Sequence, residues 1–403
     1  MRSRLLAAAA FFMLAGGAAH ADMSGGVVKI GVLNDMSGLY ADLSGQGSVV
    51  AAQMAVEAFG GSVGGAKIEI IGADHQNKAD IGSNIARQWF DVNGVDVIVD
   101  VPTSSVALAV SDVAREKNKV LLVSGAAASD LTGPKCSPNT VHWTYDTWAL
   151  ANGTGKSVVQ TGGDTWFFIT ADYAFGQALE RDTTAVIKAN GGKVLGAVRH
   201  PLNTADFSSF LLQAQSSGAK VIGLANAGGD TTNAIKQAAE FGIVQGGQSL
   251  AGLLVFITDV HALGLQTAQG LVLTEAFYWD ANEATRKFSE EFAKRDRGIH
   301  PTMVHAGVYS AVLHYLKAVK ALGSDTDGAA VVAKMKGMPT DDPLFGKGMI
   351  RVDGRHIHPM YLFEVKKPEE SKGEWDYYKL RATIPADEAF RPLNQGGCPL
   401  VKG

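Results

Sequence analysis

The sequence contains little of several features that often indicate a function. Its 403 residues include only two cysteines, and 36 basic side chains are nearly balanced by 40 acidic ones. No apolar run reaches the roughly eighteen residues of a membrane span, and the N-terminal one at residues 5–14 is also too short. The formal net charge of −4 argues against nucleic acid or an anionic membrane surface as a partner. We therefore expect neither nucleic-acid binding nor membrane insertion.

Catalytic signatures are missing as well. No G-x-G-x-x-G follows the first strand-like run, and no G-x-S-x-G nucleophile elbow occurs. Residues 153–157 (Gly-Thr-Gly-Lys-Ser) resemble the end of a phosphate-binding loop, but Leu150 stands where that motif requires glycine. The segment also has a helical pattern. The sequence therefore predicts no enzyme, nucleotide or other cofactor.

The N-terminus has the pattern of a secretory signal. Arg2 and Arg4 precede an apolar run at residues 5–14, and Ala19-His20-Ala21 suits signal peptidase. We expect residues 1–21 to be removed on export to the periplasm. Asp22 follows the expected cut instead of cysteine, so no lipid anchor is predicted.

The two cysteines, Cys136 and Cys398, both lie in the exported part. An even count in an oxidising compartment favours a disulfide between them. The alternative is a pair of buried thiols.

Apolar β-type runs alternate with amphipathic helical runs in two successive series. Strands are predicted at residues 27–33, 67–71, 95–101, 120–123, 166–169, 193–199, 220–225 and 252–257. Helices are predicted near 44–60, 81–89, 104–117, 147–160, 174–190, 206–217 and 229–241. This alternation predicts an α/β protein with two doubly wound parallel-sheet lobes. No Pro-, Ser- or Gly-rich tether separates the series, so ordered crossings should join the lobes.

Ligands of open parallel sheets bind outside the carboxyl ends of the strands. The loops expected there are rich in hydroxyls, small residues and aromatics, and their side chains suit a carboxylate near helix N-termini. For the serines, simple helix capping is the alternative. The candidates in these loops are Tyr40, Ser104, Ser105, Ala126, Ala128, Ser129, Tyr173, Phe175, Asn226 and Asp230.

The order of several segments resembles the leucine/isoleucine/valine-binding family of periplasmic receptors for ABC transporters. The similarity covers nearly the whole exported chain. It is carried by Ile30-Gly-Val-Leu33 with Ser37-Gly38, Ser104-Ser105 with Ser111-Asp112, residues 124–132, Asp172-Tyr173-Ala-Phe175-Gly176, and residues 346–354.

That resemblance implies a type I periplasmic binding protein fold with three hinge crossings, near residues 145, 277 and 350. The first lobe would comprise 22–145 and 278–350, the second 146–277 and 351–383, with a tail at 384–403. A small organic ligand would sit between the lobes and pass to an ABC permease. Ser104, Ala126 and Ala128 (or Ser129) would hold its carboxylate, and Tyr40, Tyr173 or Phe175 would cover it.

The sequence departs from that family where an amino-acid receptor places an acid for the ligand's ammonium. Residues 253–256, which include Phe256, carry no charge, although Asp230 in a neighbouring loop can substitute. Aromatic residues cluster at two crossings, where they can contact a ligand or pack the hinge: Trp143, Tyr145, Phe277, Tyr278 and Trp279. Branched-chain amino acids, aromatic amino acids and aromatic acids all remain candidates.

Three alternatives stay open. The same fold can serve a periplasmic sensor, or less readily an enzyme. His356 and His358 flank one residue and can form a weak metal site, although a solvated hairpin is the favoured interpretation. No metal is predicted.

Overall fold

The first series builds a six-stranded sheet. The computed structural model describes residues 23–402, so the predicted signal peptide lies outside the described residues. The elements are β1 (Val27–Asn34), α1 (Gly45–Phe59), β2 (Ser62–Val63), β3 (Ala66–Asp74), α2 (Ala79–Asp91), β4 (Val97–Asp100), α3 (Ser104–Glu116), β5 (Val120–Val123) and β6 (Thr140–His142). The strand order is β2-β3-β1-β4-β5-β6, and only the β2–β3 pair is antiparallel. Because helices cover both faces, every residue of β4 and β5 is buried.

The second series builds a four-stranded parallel sheet with the order β10-β9-β7-β8. Its elements are α4 (Thr147–Leu150), a π-helical turn (Ala151–Gly155), α5 (Lys156–Gln160), β7 (Thr165–Ala171), α6 (Ala174–Ala189), β8 (Lys193–His200), α7 (Ser208–Ser216), β9 (Val221–Ala225), α8 (Gly229–Glu240), β10 (Ser249–Gly252), α9 (Ile257–Leu263), α10 (Leu265–Ala268) and β11 (Val272–Glu275). The segment at 153–157 that resembles a phosphate-binding loop therefore lies inside a helix, as its helical pattern predicted.

The last part of the chain completes both lobes. It contains α11 (Glu283–Arg295), α12 (Met303–Leu322), α13 (Gly328–Lys336), β12 (Thr340–Asp342), β13 (Gly346–Ile350), β14 (His356–Ile357), β15 (Met360–Val365), β16 (Tyr378–Ile384) and α14 (Ala386–Ala389). Helix α12 packs on α1 in the first lobe. Strands β15 and β16 pair with β11 in a small antiparallel sheet of the second lobe.

The chain crosses between the lobes three times: from β6 to α4, from β11 to α11, and from β14 to β15. Beside β14, Arg355 forms a bridge with His142 of β6, which keeps β14 with the first lobe. Strand β15 joins β11 in the second lobe. The predicted fold, two doubly wound lobes with three crossings, is confirmed.

One predicted strand is misplaced: the strand expected over residues 252–257 lies at Ser249–Gly252 and shares only Gly252 with the prediction. Strand β10 ends at Gly252, and residues 253–256 form a loop, although the sequence predicted a strand over 252–257. The cause is the start of α9, where the Asp259 carboxylate accepts the Phe256 N–H at 2.9 Å. An apolar run alone does not distinguish a strand from a buried loop.

The expected disulfide is present. Cys136 and Cys398 are bonded, with their Cα atoms 5.6 Å apart. Strand β16 belongs to the second lobe, and Cys136 belongs to the first. The disulfide therefore attaches the C-terminal segment, which follows β16, to the first lobe.

Candidate ligand-binding cleft

A cavity with about 230 Å³ of empty space, part of it open to solvent, lies where the loops of the two sheets face one another. Aromatic and small apolar side chains dominate its wall, and none of the lining side chains carries a charge. The lining residues are Tyr40, Leu43, Pro102, Gly125, Ala127, Tyr145, Tyr173, Phe175, Ala227, Leu254 and Phe256. The first lobe supplies one wall, the second lobe supplies the other, and Tyr145 comes from the first crossing.

Direct contacts close the cavity on one side. The hydroxyl of Tyr40 in the first lobe lies 2.5 Å from that of Tyr173 in the second. Beside them, the Gly229 N–H donates to the Leu39 carbonyl at 3.3 Å. The structure is therefore a closed form, with the lobes in contact beside the cavity.

Burial keeps the phenols of the cavity neutral. The pKa of Tyr40 is raised well above its usual value by burial, and Tyr173 and Asp230 raise it further. Burial also raises the pKa of Tyr145, and nearby carboxyls including Glu275 and Asp100 add to this rise. These hydroxyls act as hydrogen-bond donors and acceptors, not as charges.

Three helices begin at the cavity. Helices α3, α6 and α8 start within two residues of the lining residues Pro102, Tyr173 and Ala227. In the described part of the chain, no side chain caps the first turn of any of the three. Their N–H groups and positive dipole ends suit a carboxylate or another anionic oxygen group.

A strained turn directly precedes the lining residue Pro102. Asp100 and Val101 have φ values of 83° and 52°, in a region that non-glycine residues rarely adopt. The Asp100 carboxylate accepts from the Asn34 amide at 3.0 Å, and burial raises its pKa to about 6. A Cβ on Gly125 would lie 2.8 Å from that carboxylate, so glycine is required there.

Two further buried carboxyls, Asp259 and Glu275, lie close enough to Tyr145 to raise its pKa, and sequence reasoning missed both. Burial raises the pKa of Asp259 to about 7. The pKa of Glu275 is also raised, first by burial and then by the charge of Asp259. One Glu275 oxygen has no hydrogen-bond partner among the described residues. No local motif pointed to this pair, because 16 positions separate the two residues.

Five of the residues predicted from sequence line the cavity: Tyr40, Tyr145, Tyr173, Phe175 and Phe256. Most of the missed lining residues lie next to predicted ones in the same loops: Pro102, Gly125, Ala127, Ala227 and Leu254. Leu43 is the exception, because nothing in its sequence context sets it apart.

The predicted serines bind protein groups instead of facing the cavity. The Ser104 hydroxyl accepts from the N–H groups of Ala127 and Ala128, at 3.3 and 3.1 Å. Ser105 follows in the first turn of α3 and is half-buried. The Ala126 carbonyl accepts from the His142 imidazole at 2.7 Å.

Ser129 points toward the second lobe. Its hydroxyl donates to the Asp182 carboxylate of α6 at 2.6 Å.

The remaining predicted residues pack around the hinge or hold loops of the second lobe. Trp143 stacks on His356, with ring centres 4.1 Å apart. Phe277 packs edge-on against Phe288, and Tyr278 against Phe363 and Tyr378. Asn226 bonds to His200 and Thr231, whereas Asp230 accepts from the N–H groups of Asn203 and Thr204. None of these residues lines the cavity.

The predicted hairpin forms, since β13 pairs with β14, but the prediction that His356 and His358 are solvated is wrong, because both imidazoles are fully buried. Trp143 covers the first and Phe390 the second. Burial lowers both pKa values, that of His358 to about 4, and the neighbouring Arg355 guanidinium contributes. Within residues 23–402, no group of three or more His, Cys, Asp or Glu side chains is arranged to hold a metal ion.

Comparison with known proteins assigns the chain to a family. The family model described as periplasmic binding protein matches residues 27–374. A curated relative, the Leu/Ile/Val-binding protein homolog 6 of Brucella melitensis, is 29% identical over 92% of this chain and 94% of its own.

Solved structures agree. A periplasmic binding protein of Burkholderia mallei is 56% identical, with a TM-score of 0.91 over 94% of this chain and 100% of that one. A branched chain amino acid ABC transporter periplasmic ligand-binding protein of Burkholderia xenovorans LB400 is 40% identical, with a TM-score of 0.81 over 93% and 99%. An ABC-transporter solute binding protein of Rhodopseudomonas palustris HaA2, in complex with p-hydroxybenzoic acid, is 25% identical, with a TM-score of 0.80 over 89% and 97%.

No helix between residues 23 and 402 has both the length and the apolar character needed to cross a bilayer. The family match covers most of the chain, and the cavity lies between two lobes as the sequence predicted. The chain belongs to the periplasmic binding protein family, as a two-lobed solute receptor of the ABC-transporter type.

Proposed function

We propose that this chain captures a small aromatic carboxylic acid in the cavity between its lobes and delivers it to an ABC permease. The observation that carries the proposal is the cavity wall, which combines five aromatic rings with no charged side chain. Such a wall suits a flat apolar body.

The carboxylate of this ligand has candidate partners at the helix N-termini. The first turns of α3, α6 and α8 offer N–H groups without side-chain caps. The tyrosine hydroxyls add neutral donors. A free ammonium has no carboxylate in the wall to pair with, and leaving it unpaired in a buried site is costly. An aromatic acid therefore fits better than an α-amino acid.

A branched-chain amino acid is the second candidate. The name of the Burkholderia xenovorans relative supports it, and so does Asp230, which is near enough to raise the pKa values of Tyr40 and Tyr173. The p-hydroxybenzoic acid complex of the Rhodopseudomonas relative supports the first candidate.

We extend the proposal to export, cellular location and domain organisation. Residues 1–21 direct export, the mature chain acts in the periplasm, and it binds its ligand without chemical change. Residues 22–145 with 278–357 form one lobe and residues 146–277 with 358–383 the other, the third crossing lying a few residues after the position near 350 expected from the sequence; the two lobes close over the ligand.

Calorimetry with benzoate, 4-hydroxybenzoate, phenylalanine and leucine tests the proposal. We expect the two aromatic acids to bind in the micromolar range or tighter and the amino acids at least tenfold more weakly. Phe175→Ala should weaken binding of the aromatic acids, whereas Leu195→Ala, on the outer strand β8, should not. Binding of leucine alone would replace the first candidate by the second, and binding of none of the four would reject both.

A further inference from the structure

Asp182 joins three segments that form the cavity, although it does not line the cavity itself. Its side chain is buried. One carboxylate oxygen accepts from the hydroxyls of Ser129 and Thr147, both at 2.6 Å. The other oxygen accepts from the Arg181 guanidinium at 3.0 Å.

Each of these segments leads directly to the cavity wall. Ser129 follows the lining residue Ala127 by two positions, and Thr147 follows Tyr145 by two. Helix α6, which carries Asp182, begins between the lining residues Tyr173 and Phe175. Since a helix rises 1.5 Å per residue, Asp182 lies about 10 Å along α6 from the cavity.

Arg181 extends the same contact across the lobes. Its guanidinium donates to the Ser129 hydroxyl at 2.9 Å and to the Asp130 carboxylate at 3.0 Å. Ser129 and Asp130 belong to the first lobe, and α6 packs on the sheet of the second. The pair Arg181–Asp182 therefore bonds to the opposite lobe through both of its members.

We propose that Asp182 and Arg181 form an interlobe latch that holds the cleft closed and sets the rate of ligand release. In this latch Ser129 is the first-lobe partner of Asp182 and Arg181, and it does not bind the ligand. Opening the cleft separates the Ser129 hydroxyl from a buried carboxylate, and hydrogen bonds to charged groups are stronger than neutral ones. Weakening the latch lowers the closed population, which weakens the apparent affinity by the same factor.

This inference rests on the proposed function for its kinetic test but not for its structural test. In ligand-free protein, small-angle scattering should show a larger radius of gyration for Asp182→Asn than for wild type. Ser129→Ala is the milder variant, because Thr147 and Arg181 still bond to Asp182. Lys188→Ala, exposed on the same helix and facing solvent, is the matched control and should scatter as wild type does.

Stopped-flow release of 4-hydroxybenzoate supplies the second readout. We expect Asp182→Asn to release the ligand roughly tenfold faster and Ser129→Ala a few-fold faster, with association rates unchanged. A general loss of folding would instead lower the melting temperature and reduce the fraction of protein able to bind.

The outcomes separate the two proposals. Unchanged scattering and unchanged release in both variants would overturn the latch. If Asp182→Asn fails to fold, Ser129→Ala decides by the same two measurements. If wild type binds no carboxylate tested, the proposed function fails, while the ligand-free scattering still decides whether the latch exists.

Discussion

The hydroxyls of Tyr40 and Tyr173 lie 2.5 Å apart, although 133 positions separate the two residues in the chain. One follows the first strand of the first lobe and the other follows the first strand of the second. Their contact forms only when the lobes are closed. The same two phenols line the cavity, so closure and ligand contact share these side chains.

Tyr173→Phe should weaken closure while keeping the ring in place. A neutral hydrogen bond contributes about 0.5–1.5 kcal/mol net, so ligand affinity should fall roughly two- to tenfold. Calorimetry with the best-binding acid measures the effect. Tyr361→Phe, on β15 and away from the cavity, is the control. An unchanged dissociation constant in Tyr173→Phe would mean that this contact does not support closure.

Gly228→Ala should prevent full closure. Gly228 has a φ of 56°, and an added Cβ would lie 2.5 Å from the Leu39 carbonyl oxygen in the opposite lobe. Gly218 is a matched control, since its φ is 67° but nothing lies within 4 Å of an added Cβ. Both variants place an alanine at a positive φ, which costs about 1 kcal/mol or more, and at Gly228 the ψ of −132° lies outside the left-handed helical region and adds to that strain.

We therefore expect both glycine variants to melt below wild type, but at least tenfold weaker ligand binding only in Gly228→Ala. Thermal unfolding and calorimetry check the two halves of this prediction. Equal affinities would show that the lobes do not need to approach at Gly228.

The elements of the fold were predictable because their signals are local. Strands β4 and β5 are short apolar runs followed by helices, and a sheet covered on both faces requires this pattern. Two of the aromatic lining residues were also predictable, because Tyr40 and Tyr173 lie in loops that follow strands. Parallel strands bring such loops to one edge whatever the rest of the chain does.

The roles of the polar residues depend on partners far away in sequence. Ser129 resembled a helix cap or a ligand-binding residue, but its partner Asp182 lies 53 positions later. His356 resembled part of a solvated hairpin, whereas the Trp143 carbonyl that it bonds to lies 213 positions earlier. A local sequence pattern does not predict contacts between residues so far apart in the chain.

Breaking the disulfide should destabilise the protein. The bond joins residues 262 positions apart, and the chain-entropy relation assigns about 5.6 kcal/mol to so long a loop, as an upper value. Urea unfolding with and without reductant measures the loss. The double variant Cys136→Ser/Cys398→Ser should unfold at the midpoint of reduced wild type and should not respond to reductant. An identical midpoint in oxidised and reduced wild type would contradict the prediction.

Buried histidines at the hinge should make the protein sensitive to acid. His358 is fully buried against Phe345 and Phe390, and its Nδ1 bonds to the Pro359 carbonyl at 2.9 Å. Burial and the nearby Arg355 guanidinium lower its pKa to about 4, against roughly 6.5 in the unfolded chain. As the pH falls below about 6.5, the unfolded chain takes up the proton first and is stabilised.

The folded state should therefore lose up to about 3 kcal/mol from His358 between pH 6.5 and 4, and nothing above pH 7. His358→Phe removes the titrating group and keeps a ring between the two phenylalanines. Urea unfolding of both proteins at pH 7.5, 6, 5 and 4 gives the difference in stability at each pH. As the pH falls, the variant should become more stable relative to wild type, because only wild type carries the histidine whose pKa is lowered by folding. Parallel pH curves for the two proteins would show that His358 has the same proton affinity in the folded and unfolded chains.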